Sequence, residues 1–254
     1  ADVRAAVAAP QPPTPAIRPP TPTRQPPRVL TRLPFTGMRR AIADRMTRSL
    51  ASGAQLTLTR EVDASALVTA RRALRSSLDE LPYDAFFVRA LARALADDPA
   101  LNAVVEGDEI LVLADVHVGV AVAVPGGLLV PVVRDAATRP LAALARDVAD
   151  LAERARAGRL SPDDLAGGTV TITNLGAQGV DVFTPILNPP QSAILGIGRI
   201  APRPVALGDA LAVRPTVHLS LTFDHRVADG VPAAELLTRI ARLLSDQAWL
   251  MVDG

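Results

Sequence analysis

Lysine and cysteine are both missing from this chain of 254 residues, and histidine and aromatic side chains are scarce. All 27 basic residues are arginine. The lack of lysine excludes Schiff-base and pyridoxal chemistry and the phosphate loop that depends on an invariant lysine. The lack of cysteine excludes a thiolate nucleophile, a disulfide framework, an iron–sulfur cluster and a thiolate zinc site. Aromatic residues make up 3% of the chain, too few for a base-stacking platform, and a formal net charge of +1 does not build the basic face that nucleic acid needs. No apolar run approaches the roughly 18 residues of a membrane-spanning helix. Acid–base chemistry near neutral pH therefore falls first on His117, His218 and His225 or on a tuned carboxylate.

What is present divides in two near residue 28. Nine of the eighteen residues from Pro10 to Pro27 are proline, a density that prevents a helix interior or sheet core and favours an extended, semi-rigid spacer. No acidic residue lies between Asp2 and Asp44, but the prolines rule out the amphipathic helix of an organelle presequence. From Val29 onward the pattern is that of a folded domain, and no targeting segment is visible.

Ile42, Met46 and Leu50 fall four apart and predict a helix from about Thr36. AQLTLTREV (54–62) alternates as a strand, and Asp63 is placed to cap a helix through DASALVTARRALRSSL. A helix over 83–97 stops before Pro99. Strands are expected at 110–113, 116–124 and 128–133, and a helix from about 140 ends at Gly158. Further strands are expected at 169–175, 192–200 and 216–223, with a hairpin turn at Gly208-Asp209. A last helix, about 232–245, starts with Pro232 in its first turn. Helices and strands do not alternate strictly, so an α+β domain with a large mixed sheet fits better than a doubly wound one.

Among the histidines, His225 has the most suggestive setting. It follows the alternating run Val217–Phe223 directly, and Asp229-Gly230 stand just ahead of the last helix. A strand end delivers a side chain to the rim of a sheet, where a turn can hold it rigidly. Spacing alone also allows the plainer role in which Asp229 caps the helix and His225 fills the turn. His117 and His218 lie in separate strands with no neighbouring ligands, so structural roles suit them better, and no metal site is expected.

SLTFDHRVADG resembles the H-x-x-x-D-G signature of the dihydrolipoamide acyltransferases, the core subunits of 2-oxo acid dehydrogenase complexes. Chloramphenicol acetyltransferase and peptide-synthetase condensation domains share that signature. GMRRAIADRM, GGLLVPVVRDA and GTVTITNLGAQGVDVFTPILNPPQSAILGIGRI are similar to the acyltransferase landmarks in their usual order, and with the histidine motif they span nearly all of residues 33 to 230. The resemblance implies a chloramphenicol-acetyltransferase-like two-layer fold with flanking helices. It makes residues 29–254 the catalytic domain, 10–28 a flexible linker and 1–9, DVRAAVAA within them, a remnant of a peripheral-subunit-binding domain.

The implied reaction moves an acyl group from a dihydrolipoyl thiol, carried on a domain outside these residues, to coenzyme A. By resemblance His225 is the general base for the coenzyme A thiol and Thr173 supplies the oxyanion donor, a threonine where some relatives carry serine. Asp229 would form a structural ion pair with Arg71, and Asn174, Gly198 and Ile200 would line the coenzyme A channel. Many relatives have an acidic residue at the position of Ala123, so contacts made there do not carry over. The family architecture implies a homotrimer with His225 facing a neighbour's Thr173, so that an isolated monomer is inactive. Cubic or dodecahedral cores of such trimers, decarboxylase and dihydrolipoamide dehydrogenase partners and a bacterial cytoplasmic location follow from the same resemblance. GIGRI and LTFDHRVADG are most similar to branched-chain members, which favours an isobutyryl-type group over acetyl, with succinyl third. A non-catalytic core subunit and a stand-alone acetyltransferase for a small hydroxylated substrate are the competing readings.

Overall fold

The computed structural model describes residues 27–78 and 80–252. Residues 1–9 and all but the last two residues of the expected linker at 10–28 lie outside them. The chain divides into two units after Pro34, and residues 27–34 contain no helix or strand.

The second unit opens with helix α1 (Gly37–Ser52), strand β1 (Gln55–Asp63) and helices α2 (Ser65–Leu74) and α3 (Tyr83–Asp97). Strands β2 (Ala103–Glu106) and β3 (Glu109–Val112) form a hairpin of their own. Then come β4 (Val118–Val120), β5 (Val122–Val124), β6 (Gly127–Leu129), β7 (Val132–Val133) and helix α4 (Leu141–Arg156). The chain closes through β8 (Val170–Asn174), β9 (Ala193–Ile197), β10 (Ala201–Leu207), β11 (Ala210–Asp224), α5 (Gly230–Ser245) and α6 (Gln247–Met251).

The main sheet runs β1-β11-β9-β8-β4-β7, with β10 paired to the outer part of β11. β8 lies parallel to both β4 and β9, and the other pairs are antiparallel, so the sheet is mixed, as the sequence pattern leads one to expect. One face is apolar. Leu219, Leu221 and Phe223 of β11, Leu195 and Ile197 of β9 and Ile172 of β8 are all buried on it. Helix α3 packs there with Ala85 to Ala92 buried without a break, and its alanines let α4 and α5 approach closely. The fold is α+β, one layer of sheet under one layer of helices.

The opposite face is lined with hydroxyls, because side chains alternate along a strand. Thr57 is hydrogen-bonded to Thr222 at 2.7 Å and Thr59 to Ser220 at 3.1 Å, and Thr171 donates to Gln191 Oε1 at 2.6 Å. Each buried hydroxyl thereby has a partner.

Several elements differ from the sequence reading. The run 116–124 breaks at Ala121: β4 joins the main sheet, whereas β5 pairs with β6 in a separate hairpin. Pro131, which has no N–H to donate, divides the run 128–133 into β6 and β7. Helix α2 stops at Leu74 rather than Leu78, and Asp63 accepts from Ser65 N at 2.8 Å from a position one residue before the N-cap, Ala64. β11 begins at Ala210, six residues earlier than expected, because the hairpin turn at Gly208 (φ +58°) aligns it with β10.

Candidate active site

β11 ends at Asp224, and the turn after it carries His225. The His225 N–H donates to Ala54 O at 2.8 Å, and its ring lies 5.7 Å from that of Phe223. Asp224 is 4% exposed and fixes the turn, accepting from Arg226 Nη2 at 2.6 Å, Arg226 N at 3.0 Å and Ala54 N at 3.2 Å. Burial pushes the Asp224 carboxyl up, but the Arg226 hydrogen bonds and charge, with the Ala54 N–H, outweigh it and hold it below the usual range. The backbone under His225 is therefore braced by a buried, ionised carboxylate.

The His225 side chain is 43% exposed, with Nδ1 at 3.6 Å from Asp229 Oδ1, and the Asp229 side chain is 88% exposed. Asp229 is the N-cap residue of α5 but makes no side-chain capping hydrogen bond. The expected pair between Asp229 and Arg71 is not formed. Arg71 Nε donates to Leu81 O at 2.8 Å, its guanidinium stacks over the Tyr83 ring at 4.4 Å, and among the described residues it has no ion-pair partner. Arg71 thus joins α2 to the start of α3, and Asp229 answers to the histidine in its own turn.

The other cluster lies at the far end of β8. Thr173 is opposite Gly196 in the register of β8 and β9, and Asn174 is opposite Ile197. Asn174 Nδ2 donates to Asp84 Oδ1 at 2.6 Å, while its Oδ1 accepts from Gly176 N at 2.8 Å. Asp84, in the first turn of α3, is a residue that no motif singled out. Burial pushes its carboxyl up against the opposing effect of the Asn174 hydrogen bond. Gly198 is buried, and a Cβ there would lie 1.9 Å from Asp181 O. Its glycine is thus required by the crossing of two backbone segments. Ile200 is half-buried against the core.

The structure brings Thr173, Asn174 and Gly198 together and pairs His225 with Asp229, but it keeps the two groups apart. Thr173 is in register with Gly196, and Gly196 with Ser220, so Thr173 is two strands from β11. His225 lies five residues beyond Ser220. With strands about 4.8 Å apart and a rise of about 3.3 Å per residue, the two are about 19 Å from each other within one chain. Thr173 shares the hydroxyl-lined face with Ser220, whereas the ring beside His225 is that of Phe223, which is buried on the apolar face.

The remaining two histidines have other surroundings. His117 Nδ1 accepts from Asp135 N at 3.0 Å, as expected of a satisfied core histidine. His218 shares the face of Ser220 and Thr222, yet its buried Nδ1 has no hydrogen-bond partner, so the expected bonding is not made at that atom. Among the described residues no three His, Asp or Glu side chains cluster so as to hold a metal, and no helix is long and apolar enough to cross a membrane.

Residues 27–252 match the family described as 2-oxoacid dehydrogenases acyltransferase (catalytic domain). The acetyltransferase component of the acetoin cleaving system of Bacillus subtilis is 43% identical over 225 residues, 87% of this chain and 56% of that protein. The succinyltransferase component of the 2-oxoglutarate dehydrogenase complex of Haemophilus influenzae is 37% identical over 227 residues, again 87% and 56%. The chain thus spans about half the length of these relatives. Among solved structures, Azotobacter vinelandii dihydrolipoamide acetyltransferase has a TM-score of 0.84 at 32% identity, covering 90% of this chain and 99% of that one. That structure belongs to work on the role of a serine, a histidine and an asparagine in catalysis. The cubic core of a pyruvate dehydrogenase multienzyme complex gives the same values. Chloramphenicol acetyltransferase shares the fold alone, at 11% identity and a TM-score of 0.51 over 79% of this chain and 94% of that one.

Proposed function

Because the chain belongs to the family of 2-oxoacid dehydrogenase acyltransferase catalytic domains, we propose that it moves an acyl group from an acyl-dihydrolipoyl arm to coenzyme A. The observation that carries this reading is His225, held on the rim of the sheet with one ring nitrogen turned toward Asp229. A carboxylate beside Nδ1 favours the tautomer with the proton on Nδ1 and leaves Nε2 free as a base. Nε2 takes the coenzyme A thiol proton, because only the thiolate attacks the thioester carbon at a useful rate. The hydroxyl of Thr173 donates to the oxyanion of the tetrahedral intermediate. Collapse breaks the bond to the dihydrolipoyl sulfur, which regains its proton from the imidazolium. With no cysteine or lysine in the chain, transfer is direct between two bound thiols, and the lipoyl-bearing domain lies outside these residues.

About 19 Å between base and oxyanion donor in one chain means that a complete site takes its two halves from two copies. We accordingly place the site at the interface of a homotrimer, His225 of one copy opposite Thr173 of the next, within a larger core of the kind named for the pyruvate dehydrogenase relative. Burial at that interface would also strengthen the His225–Asp229 interaction, which solvent weakens in the free chain. Residues 29–254 are read as the catalytic domain, preceded by a linker at 10–28 and a peripheral-subunit-binding remnant at 1–9. Decarboxylase and dihydrolipoamide dehydrogenase are its expected partners, and the bacterial cytoplasm is the expected compartment.

The test is direct. Purified protein given acyl-dihydrolipoamide and coenzyme A forms acyl-coenzyme A, and His225→Ala does not. A normally assembled protein whose rate equals that of His225→Ala would instead establish a purely structural core subunit. The named relatives divide between acetyl and succinyl donors, and the branched-chain preference rests on GIGRI and LTFDHRVADG. One methylene in a pocket changes selectivity by about 1–3 kcal/mol, so rates with acetyl-, isobutyryl- and succinyl-dihydrolipoamide measured side by side decide the acyl group.

A further inference from the structure

We propose that Asp84 and Asn174 form a positioning pair that holds Thr173 in place for acyl transfer, and that the Asn174 carboxamide is a brace rather than a contact for coenzyme A. The inference rests on the role given to Thr173 above. Asn174 is the last residue of β8, and immediately after it the chain leaves the sheet through the single 3-10 turn Gly176–Gln178. A strand end at this point frays unless something ties it down.

Two hydrogen bonds do so. The Gly176 N–H can only donate, so the carboxamide has one orientation, Oδ1 to Gly176 and Nδ2 donating to Asp84. Both of its ends are then engaged, and one N–H and one lone pair of Oδ1 remain. The anchor is rigid, because Asp84 opens the helix whose next eight residues are all buried. The turn beyond is pressed close as well: a Cβ on Gly176 would meet Gly198 O at 2.7 Å, and Leu175 N donates to Ile197 O at 3.1 Å. Thr173 is one residue before this clamp, so the direction of its hydroxyl depends on where Asn174 is held.

The experiment uses the assembled protein, with kcat and the KM for coenzyme A measured separately. A misplaced donor lowers kcat, and Asp84→Ala is expected to do so about ten- to a hundredfold. The KM for coenzyme A should move less than about twofold, since no ground-state contact is lost. Asp84→Asn keeps an accepting oxygen and should stay within about threefold of the parent. At pH 8, Asn174→Asp sets a second carboxylate against the first and should lose as much as Asp84→Ala. Adding Asp84→Asn to it restores a donor–acceptor pair of reversed polarity and should recover most of kcat. If Asp84→Ala does not fold, the last two proteins carry the comparison.

Parental kcat in Asp84→Ala overturns the proposal. So does a raised KM for coenzyme A at unchanged kcat, which would make Asn174 a ligand contact, and so does a reversed pair that fails to recover. Absence of transfer in the unaltered protein would instead remove the acyltransferase reading itself, before any variant is compared.

Discussion

At the scale of single residues, the turn that carries His225 depends on a charge that is hidden from solvent. Asp224 is buried and ionised, and its folded-state pKa lies below the usual carboxylate value because Arg226 and two backbone N–H groups stabilise the anion more than burial opposes it. A depressed carboxyl contributes stability above its unfolded pKa and loses it as pH falls through the lower folded value. Asp224→Asn should therefore cost about 1.5–3 kcal/mol at pH 7, the worth of charge-assisted hydrogen bonds. That gap should narrow as pH drops below about 4, where the carboxyl of the unfolded parent begins to protonate, and close once pH has fallen through the lower folded value. Urea melts of both proteins across this range check it, and a gap constant with pH would mean that Asp224 acts through shape alone. The histidine that this turn presents was legible in the sequence, because LTFDHRVADG compresses strand, histidine and helix start into ten residues. The Asp84–Asn174 bond was not, since its partners are ninety positions apart and neither residue type is unusual where it stands. The pairing of Arg71 with Asp229 failed for a related reason. It was carried over from a family pattern, whereas in this chain the Tyr83 ring and the Leu81 carbonyl take the guanidinium.

At the scale of elements, periodicity located the long helices and the central strands but not the places where a strand changes partner. VHVGVAVAV alternates without a break, so nothing in its pattern marks Ala121, where the main sheet ends and the β5–β6 hairpin begins. β2 and α6 escaped notice because each is short and neither has a sustained period. Gly198 carries a packing constraint beside the role that the resemblance implies for it. It stands in GIGRI, and the space a side chain would need is filled by the Asp181 carbonyl. Gly198→Ala must move one backbone segment or the other, and a loss of about 3 kcal/mol or more is expected from such overpacking. Gly230→Ala is the matching control: it lies at the first position of α5 with nothing within 4 Å of the new methyl. It should be neutral or stabilising by up to about 1 kcal/mol, because alanine restricts the unfolded chain. Thermal melts of the two variants give the comparison, and equal losses would show that the crossing at Gly198 yields easily.

At the scale of the whole molecule, the two groups on which the proposed site depends stand far apart in one chain. His225, the proposed base, is on one rim of the sheet, and Thr173, the proposed oxyanion donor, is two strands away. Close to His225 along the chain, Val231 is 68% exposed and Asp229 nearly bare, an apolar and charged surface that a second copy would cover in the proposed trimer. If the site is shared, His225→Ala and Thr173→Ala disable different halves of it. Each variant assembled alone lacks one half at every interface and should show little activity. Unfolded together at equal concentrations and refolded, they would form mixed trimers in which some interfaces pair an intact His225 from one copy with an intact Thr173 from the next. Random association of two kinds of subunit puts that pairing at about a quarter of the interfaces. The mixture should therefore recover about a quarter of the parental rate, while each variant refolded alone recovers none. A site complete within one chain has no such arithmetic, because every chain in the mixture would still lack either base or donor. Recovery thus separates a shared site from a self-contained one with no structure of the assembly in hand, and its size reports whether one neighbour or more contributes to each site.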